Sequence, residues 1–520
     1  MKKVTDMTTG SPFKNIFLFA VPMAIGFMLQ ELYALGDTLI VSWSRNANAA
    51  TGINLTGSMN FLIVGFVQGF SAGFGIVLSQ FVGARDDKKM RNSVATSLVL
   101  SVIIAALMSV ISVLAARPVL ELLSTDEKYI GYSESYIKVI FGGIIFNMLY
   151  NLSDQFLRAM GDSKTPLYIL IMCAVLNIGL NSLMFVIPSL TVAWAAWATI
   201  ISQCISAIVG FTVLFVKFPV LRLKKSDFRF TAKFAGFHLS MGFPMALQFV
   251  VTASGCMIAQ KAVNDLNDPV LSMAQANASK IDNIFGAILR GAGLAMATYV
   301  GQNYGAKRFD RIDEGYKKGF LVGLVYFVIS VALYVGLSGP LARLLLPANK
   351  IDGDAGTVYR LAFKYNCIQA AFYYPLFCIL YARSALQAIG RSGLSVLGGV
   401  VEFTMRTTAA NTIAVWFGYD GVCFSNPMAW VGGAIFFLIA FPLAFKKLVK
   451  SYGGKAVALP DLSTSRPVIA EDKENSEPAE PAPVIRWNEP TVKTGGEEDI
   501  NEEIETDEKL AAAEDEFPKQ

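Results

Sequence analysis

The sequence predicts an all-α membrane protein in which twelve transmembrane helices form two parallel six-helix repeats. Composition is the first observation, since 54% of the 520 residues are hydrophobic and only 16% are charged, whereas soluble domains carry roughly 25% charged residues. Internal duplication is the second, because short segments recur at one constant offset, which we call the repeat offset. Doubled units in a membrane protein usually form a transporter with its site between the halves. The recurring segments are Pro22-Met23-Ala24 with Pro244-Met245-Ala246, Gly69 with Gly291, and Gln80 to Ala84 with Gln302 to Ala306.

Apolar stretches follow one another through both halves, and each is long enough to cross a hydrocarbon core. Inside lipid each span must satisfy its own backbone hydrogen bonds, so we expect helices and not open sheets. The first span is too long for a signal peptide and is expected to be retained. The predicted spans are 13–42, 53–83, 93–118, 130–160, 165–187 and 191–217, then 233–262, 270–303, 316–339, 356–389, 393–417 and 421–445.

Basic loops predict the orientation of these spans. The loop after the second span, the loop between the halves and the loop after the eighth span are rich in lysine and arginine, and twelve spans place them on one side. Basic loops stay in the cytoplasm. The chain is therefore predicted to be a multi-pass protein of the cell (inner) membrane with both termini cytoplasmic. The loop around 340–360 is an exception on the opposite side, since it carries Arg343, Lys350 and Arg360.

Four regions follow from these patterns. Residues 1–217 are predicted to form the amino-terminal six-helix bundle, 218–232 a cytoplasmic linker and 233–450 the carboxy-terminal bundle. Residues 451–520 contain 18 acidic and 7 basic side chains, a net charge of −11. A segment so poor in apolar residues cannot offset its ordering entropy, so an acidic, disordered cytoplasmic tail is predicted.

Several functions are excluded by missing motifs. The chain has no HExxH, no phosphate-binding glycine loop and no hydrolase elbow, so neither an enzyme nor nucleotide hydrolysis is expected. The six cysteines lie within predicted spans without metal-ligand spacing, which predicts no metal site. His238 is predicted to be an interfacial side chain. We expect no cofactor, no nucleic-acid partner, contact with membrane lipid and a monomeric protein.

Polar residues inside the spans are the functional candidates, because burying them in lipid is costly. Asp37 has no basic residue within seven positions, and Gln30 and Ala34 share its helical face. A lone carboxyl in low dielectric can bind and release a proton, or bind Na⁺ where oxygen atoms converge. A hydrogen-bonded contact between helices is the alternative.

Asn177 and Asn181 lie four apart on one face of the fifth span, and Thr199 adds a hydroxyl from the sixth. Amides and hydroxyls suit a titrating carboxyl or a dehydrated cation. They could equally be interhelical hydrogen bonds, which are common in membrane bundles.

Several longer motifs resemble one family. Together they are similar to the multidrug and toxic compound extrusion (MATE) family of antiporters over residues 6–450. The resemblance implies two six-helix bundles arranged as a V, a central cavity and alternating access. It also implies export of amphiphilic, often cationic, compounds in exchange for H⁺ or Na⁺. The motifs are Asp6 to Pro12, Gln30-Glu31-Leu32-Tyr33 leading to Asp37-Thr38, Gln80 to Ala84, Leu157 to Pro166, Phe243 to Gln248 and Val300 to Ala306.

The resemblance assigns roles by position. Asp37 matches the first-helix aspartate on which cation coupling depends, and Asn177 and Thr199 match its polar partners. Pro22 matches a proline at which the first helix can bend, and proline is itself a sufficient cause of a kink.

Two positions depart from the family pattern. Asn181 stands where some members carry a second aspartate, so a carboxyl pair there is reduced to one acid, and Asn181 joins the expected coupling site. Thr252 stands where another branch has an acid, which puts a coupling-ion site in the second bundle in doubt.

The remaining polar and charged residues are candidates for the cavity or for ion pairs. Gln30, Glu31, Tyr33 and Asp154 are candidates for the substrate cavity. Asp154 and Arg383 are equivalent under a slightly larger offset, the one that relates Leu157 to Leu386. They could therefore pair between the bundles, or each within its own bundle.

Other charges are assigned by spacing alone. Glu402 and Arg406 lie four apart and are predicted to pair on one helix. Arg290 has no partner visible in the sequence. Lys280 and Asp282 could form an interfacial cluster.

Three functions remain open. The first is a cation-coupled exporter of amphiphilic, cationic drugs or metabolites. The second is a lipid-linked precursor flippase of related fold, which Arg290, Arg383 and Arg406 support because it requires a basic cavity. The third is a non-transporting membrane scaffold with an acidic tail, against which the duplication and Asp37 argue. Cavity charge discriminates between the first two.

Overall fold

The computed structural model describes residues 5–42, 51–53, 55–122, 125–187, 193–228, 231–351 and 354–452, apart from the side chains of 37–42, 185–186 and 350. The described chain is helical in both halves. In the first half the helices are α1 (Pro12–Ser42), α2 (Gly57–Gly83), α3 (Asp87–Leu122), α4 (Glu127–Gly142 and Ile144–Ala159), α5 (Lys164–Val186) and α6 (Ala193–Lys217). Two short 3-10 turns, Pro219–Leu221 and Lys225–Phe228, follow in the linker.

The second half repeats this order. Its helices are α7 (Ala232–Asn264), α8 (Pro269–Gly305), α9 (Phe309–Leu345), α10 (Ala355–Ala371 and Tyr373–Ala388), α11 (Ser392–Thr408, a π-helical turn Ala409–Ile413, and Ala414–Phe417) and α12 (Tyr419–Cys423 and Ser425–Ser451). The breaks in α4 and α10 fall at Gly143 and Phe372. These two residues are related by the same offset as Leu157 and Leu386, so the duplication extends to the interruptions.

The twelve helices coincide with the twelve predicted spans. Within the described ranges, nine helices are long and apolar enough to cross a membrane, and the two segments of α4, bent by 49°, make ten. The other two, α10 and α11, are interrupted, and none of their α-helical segments is longer than 17 residues. Helices α3 and α9 are longer than predicted, because their charged ends continue the helix beyond the apolar stretch.

Small residues bring the two halves together along α1, α2, α7 and α8. A Cβ atom at Gly69 would lie 2.4 Å from Cα of Ala246, and one at Gly291 would lie 2.6 Å from the backbone nitrogen of Ala24. The repeat offset relates Gly69 to Gly291 and Ala24 to Ala246. The duplicated glycines of the sequence therefore form two equivalent close contacts between the halves.

Two further equivalent contacts are hydrogen bonds on one side of the bundle. Gln80 Nε2 donates to the carbonyl of Ala388 at 2.9 Å, and Gln302 Nε2 donates to the carbonyl of Ala159 at 2.8 Å. We call this side, which holds residues 84–86 and 306–308, the basic side. The duplicated glutamines hold the halves together there.

A short segment before α1 adds a further contact on the basic side. Arg311 at the start of α9 is buried, and its guanidinium donates to the carbonyls of Gly10 at 2.9 Å and of Met7 at 3.2 Å. Asn303 Nδ2 also donates to the carbonyl of Met7 at 3.0 Å. Residues 5–10 of the first half are therefore bound by the second half.

His238 was expected at an interface with water, and the structure contradicts this. The ring is fully buried, and its Nε2 lies 2.9 Å from the Ser93 hydroxyl on α3. Phe74 and Phe234 pack edge-on against it. The start of α7 is covered by α2 and α3 of the other half, a contact that the sequence pattern of α7 alone does not reveal.

Candidate functional site

The first half contains a chain of buried polar side chains on α5 and α6. Asn181 Nδ2 donates to Asn177 Oδ1 at 2.8 Å, and Asn177 Nδ2 donates to Thr199 Oγ1 at 3.1 Å. Both asparagines are fully buried, and the Thr199 hydroxyl donates to the carbonyl of Ala195 at 3.0 Å. The structure thus brings together the three polar partners that the sequence predicted, and we call them the amide cluster.

Asp37 lies on α1, whose backbone is described to Ser42, but its side chain is outside the described residues. Its place beside the amide cluster stays a prediction. Gln30 and Tyr33 lie on the same helix and are half-buried. Pro22 lies inside α1 and is buried, and its role as a hinge also stays a prediction.

The second half has different residues at the equivalent positions. Ala259 is the counterpart of Asp37 under the repeat offset, and Arg406 is the counterpart of Asn177 under the slightly larger offset of the later helices. The amide cluster is therefore a feature of the first half that the duplication did not keep, and the second half also has no acid at the position equivalent to Asp37.

A charge pair joins α1 to α8 across the two halves. Arg290 Nη2 lies 2.5 Å from Glu31 Oε1, and both side chains are partly exposed. The guanidinium of Arg290 lies 5.9 Å from the ring centroid of Phe27, and that of Arg158 lies 5.4 Å from the same centroid. Glu31 thus supplies the partner that the sequence could not identify for Arg290, because the two are 259 residues apart.

Asp154 and Arg383 pair within their own halves and not between them. Asp154 Oδ2 lies 2.5 Å from Arg158 Nη2 on the same helix, and Arg383 Nη1 lies 3.7 Å from Glu402 Oε1 on α11. Of the two arrangements that the sequence left open, the structure has the one inside each bundle. Asp154 also lies near the Glu31 pair, because its partner Arg158 contacts Phe27.

Glu402 and Arg406 do not form the predicted ion pair. Glu402 turns toward Arg383, while Arg406 Nε donates to Asn426 Oδ1 of α12 at 2.9 Å. Both side chains are buried between helices, so neighbouring helices supply closer partners than the next turn of α11. The i, i+4 spacing correctly predicted that Glu402 and Arg406 share one face of α11. It did not predict that each side chain would pair with a residue of another helix.

Asp282 forms a second polar group that the sequence analysis missed. The hydroxyls of Tyr334 and Tyr373 each lie 2.9 Å from Asp282 Oδ1, and Tyr334 also lies 3.0 Å from Asn366 Oδ1. This group lies between α8, α9 and α10, where Asp282 is half-buried and the nearby Lys280 is exposed, so an interfacial position for the two stays a prediction. Its partners follow Asp282 by 52 to 91 residues, and no local pattern marks them.

Together these features define the class of protein. Two duplicated helical halves, packed on small residues, enclose buried polar groups and share a charge pair, which is the architecture of a multi-pass membrane transporter. The sequence model of the MatE family matches residues 22–183 and 244–405, once in each half. The chain belongs to this family, as the resemblance predicted.

Curated relatives are named for multidrug resistance, for multidrug export or for FAD transport. The chain is 27% identical over 426 residues to the probable multidrug resistance protein YpnP of Bacillus subtilis, a match that covers 81% of this chain and 92% of the relative. The multidrug export protein MepA of Staphylococcus saprophyticus is 24% identical over 46% of this chain and 53% of its own length. An FAD transporter of Shewanella oneidensis is 22% identical over 73% of this chain and 83% of its own length.

Solved structures confirm the fold. A MATE crystal structure in complex with MaL6 has a TM-score of 0.79 at 18% identity and covers 86% of this chain and 100% of its own. An outward-facing multidrug resistance MATE family transporter has a TM-score of 0.79 at 19% identity, with coverage of 86% and 99%. The predicted fold class, twelve helices as two parallel six-helix repeats in a V-shaped pair of bundles, is therefore confirmed.

Proposed function

We propose that this transporter exports amphiphilic organic cations, drugs or metabolites, in exchange for H⁺ or Na⁺. The observation that carries the proposal is the amide cluster, a set of oxygen and nitrogen atoms held inside an apolar bundle. The names of the curated relatives support multidrug export as the activity. The exporter would act as a monomer in the cell membrane and use no cofactor besides the coupling ion.

Asp37 is the proposed carrier of that ion. Leu170 of α5 packs against Gly26 of α1, 3.8 Å from where a Cβ atom would stand. Both helices begin near the basic side, so their residue numbers increase with distance from it. Asp37 follows Gly26 by as many positions as Asn181 follows Leu170. Since all α-helices rise equally per residue, the two backbones reach the same depth, which supports a carboxyl beside the amide cluster.

Exchange follows if the two states of Asp37 favour different conformations. A neutral carboxyl suits an apolar, closed bundle, while the charged form suits a bundle that water or Na⁺ can enter. A bound ion shifts the equilibrium only through such a difference in affinity. Substrate binding to the conformation with a charged Asp37 then couples export to entry of the ion.

The basic side is proposed to face the cytoplasm, as its lysines and arginines favour. The glutamine contacts and the Arg311 contacts close that side. This conformation would therefore expose the space between the halves to the outside, where the cation leaves.

The test is transport in liposomes with imposed gradients. Purified protein should move tetraphenylphosphonium or ethidium when a proton or Na⁺ gradient is applied, and Asp37→Asn should fold normally but abolish the gradient-driven movement. Asp313→Asn is a matched control, because Asp313 is an exposed acid paired with Lys317. Transport by Asp37→Asn at the unmodified rate would refute the coupling role, and Glu31 and Asp154 would be the next acids to test.

A flippase for lipid-linked precursors is the second candidate, since α8, α10 and α11 carry the arginines Arg290, Arg383 and Arg406. Glu31 neutralises Arg290 and Glu402 neutralises Arg383, which removes much of the basic character that an anionic cargo needs. FAD belongs in the same assay as a dianionic cargo, because a relative is named for it. Movement of FAD without movement of either cation would favour an anion transporter.

A further inference from the structure

The ion pair of Glu31 and Arg290 is placed to meet a molecule between the halves. The side chains are 30% and 38% exposed, respectively, so neither is sealed in a helix contact. The adjacent residue Gly291 packs on Ala24, which fixes α8 against α1 at this level. The pair therefore lies where the close packing of the two halves gives way to space accessible to solvent.

The duplication does not explain this pair. Under the repeat offset, Glu31 corresponds to Ala253 of the second half, and Arg290 corresponds to Gln68 of the first. The glycine and glutamine contacts that join the halves occur twice, whereas these equivalent positions cannot form an ion pair. Packing of the halves thus needs no charge here, and another role must account for it.

The surroundings of the pair match an aromatic cation. Glu31 offers a carboxylate, and Phe27 offers a ring one helical turn away on α1. Arg158, which also contacts Phe27, is neutralised by Asp154. A carboxylate beside an aromatic ring is the combination that binds organic cations, and Arg290, itself a delocalised cation against the same ring, occupies that place.

We propose that the charged group of the substrate replaces Arg290 at Glu31 and Phe27, so that binding of the substrate breaks the ion pair between the halves. This inference rests on the proposed function for the class of substrate, an amphiphilic aromatic cation. It adds the site and the link between binding and separation of α1 from α8. The guanidinium of Arg290 therefore competes with the substrate for the Glu31 carboxylate and the Phe27 ring.

The displaced Arg290 has a second carboxyl in its own half. Asp282 precedes Arg290 by eight residues on α8, a rise of about 12 Å along the helix. Two tyrosine hydroxyls contact its Oδ1 and hold the carboxyl in place. Under the proposal, a move of the guanidinium toward this carboxyl would lower the cost of leaving the charge of Arg290 unpaired in an apolar bundle.

The proposal is tested by equilibrium binding of tetraphenylphosphonium to the purified full-length chain in detergent, with no gradient. Glu31→Gln removes the carboxylate and should weaken binding by about tenfold or more, as loss of one charged partner does. Arg290→Gln removes the competitor and should tighten binding severalfold. A pair that only stabilised the fold would give weaker binding, or none, in both variants, and that result would overturn the proposal.

Three controls separate the outcomes. Asp313→Asn should bind as the unmodified chain does. Arg290→Lys keeps a competing charge and should not tighten binding. Triphenylphosphine oxide, a neutral analogue, should lose the difference between Glu31→Gln and the unmodified chain. Unchanged affinity in Glu31→Gln with intact gradient-driven export would reject the site and leave the proposed function standing, whereas no binding and no export by the unmodified chain would reject the proposed substrate class.

Discussion

Buried amides and hydroxyls carry specificity at the scale of single residues. In the amide cluster each side chain satisfies the next, so Asn177 acts both as an acceptor for Asn181 and as a donor to Thr199. Asparagine does this without a charge, which suits a membrane interior better than an acid. The cluster was foreseeable because polar residues are conspicuous in apolar spans. The pair of Glu31 and Arg290 was not, since nothing local to either residue records a partner on another helix.

Asn177→Ala should impair transport more than folding. It removes the hydrogen bond from Asn181 Nδ2 to Asn177 Oδ1, a loss of about 1 kcal/mol, and it removes one oxygen from the site proposed for the coupling ion. We expect export driven by a gradient to fall at least tenfold, a change measurable in the liposome assay. Ser182→Ala is the control, because its exposed hydroxyl donates to the carbonyl of Ile178 on the same helix. Equal losses in the two variants would show that the cluster has no special role.

At the scale of helices, close contacts at glycine determine how tightly the two halves pack. Gly69 and Gly291 each meet a backbone of the other half without room for a methyl group. The repeat offset predicted that these glycines are equivalent, but it could not predict that both lie at the interface of the halves. That depends on the rotation of each helix about its axis, which packing decides and hydropathy does not. The same rotation explains why Glu402 meets Arg383 and not Arg406.

Gly69→Ala and Gly291→Ala should each push the halves apart. Overpacking of this kind costs about 1–3 kcal/mol, and the conformation with the basic side closed should bear the cost. Both variants should lower the midpoint of thermal unfolding and slow export by similar amounts, because their contacts are equivalent. Gly336→Ala, with nothing within 4 Å of the new atom, should do neither. A large effect of one glycine and none of the other would mean that the two contacts are not functionally equivalent.

In the whole molecule the helices are duplicated between the halves, whereas the buried polar and charged groups differ from one half to the other. Twelve spans, two repeats and the family were predictable, because hydropathy and internal repetition extend over most of the chain. Asymmetric groups, such as Asp282 with Tyr334 and Tyr373, were not, because each depends on one helix meeting another at one depth. The acidic segment 453–520 lies outside the described residues, so its predicted disorder and its role stay predictions.

Truncation after Tyr452 should leave membrane insertion and export near the unmodified level. The removed segment is acidic and poor in apolar residues, while Tyr452 itself is kept because it packs 5.2 Å from the ring of Phe309. Expression level, unfolding temperature and liposome export are the measurements. A shortened chain that inserts normally but has lost most export would show that the tail regulates transport.

The hydrogen bonds from Arg311 to residues 5–10 have a consequence for biosynthesis. Met7 leaves the ribosome 304 residues before the arginine that binds its carbonyl. During translation the first six helices can therefore enter the bilayer while the segment before α1 still lacks its final partner. The segment gains all of its partners in the second half only after the end of α8 and the start of α9 have emerged, so completion of the early half waits for the late one. Newly made chains stalled before Arg311 should expose residues 5–10 to a protease that cannot reach them in the finished transporter.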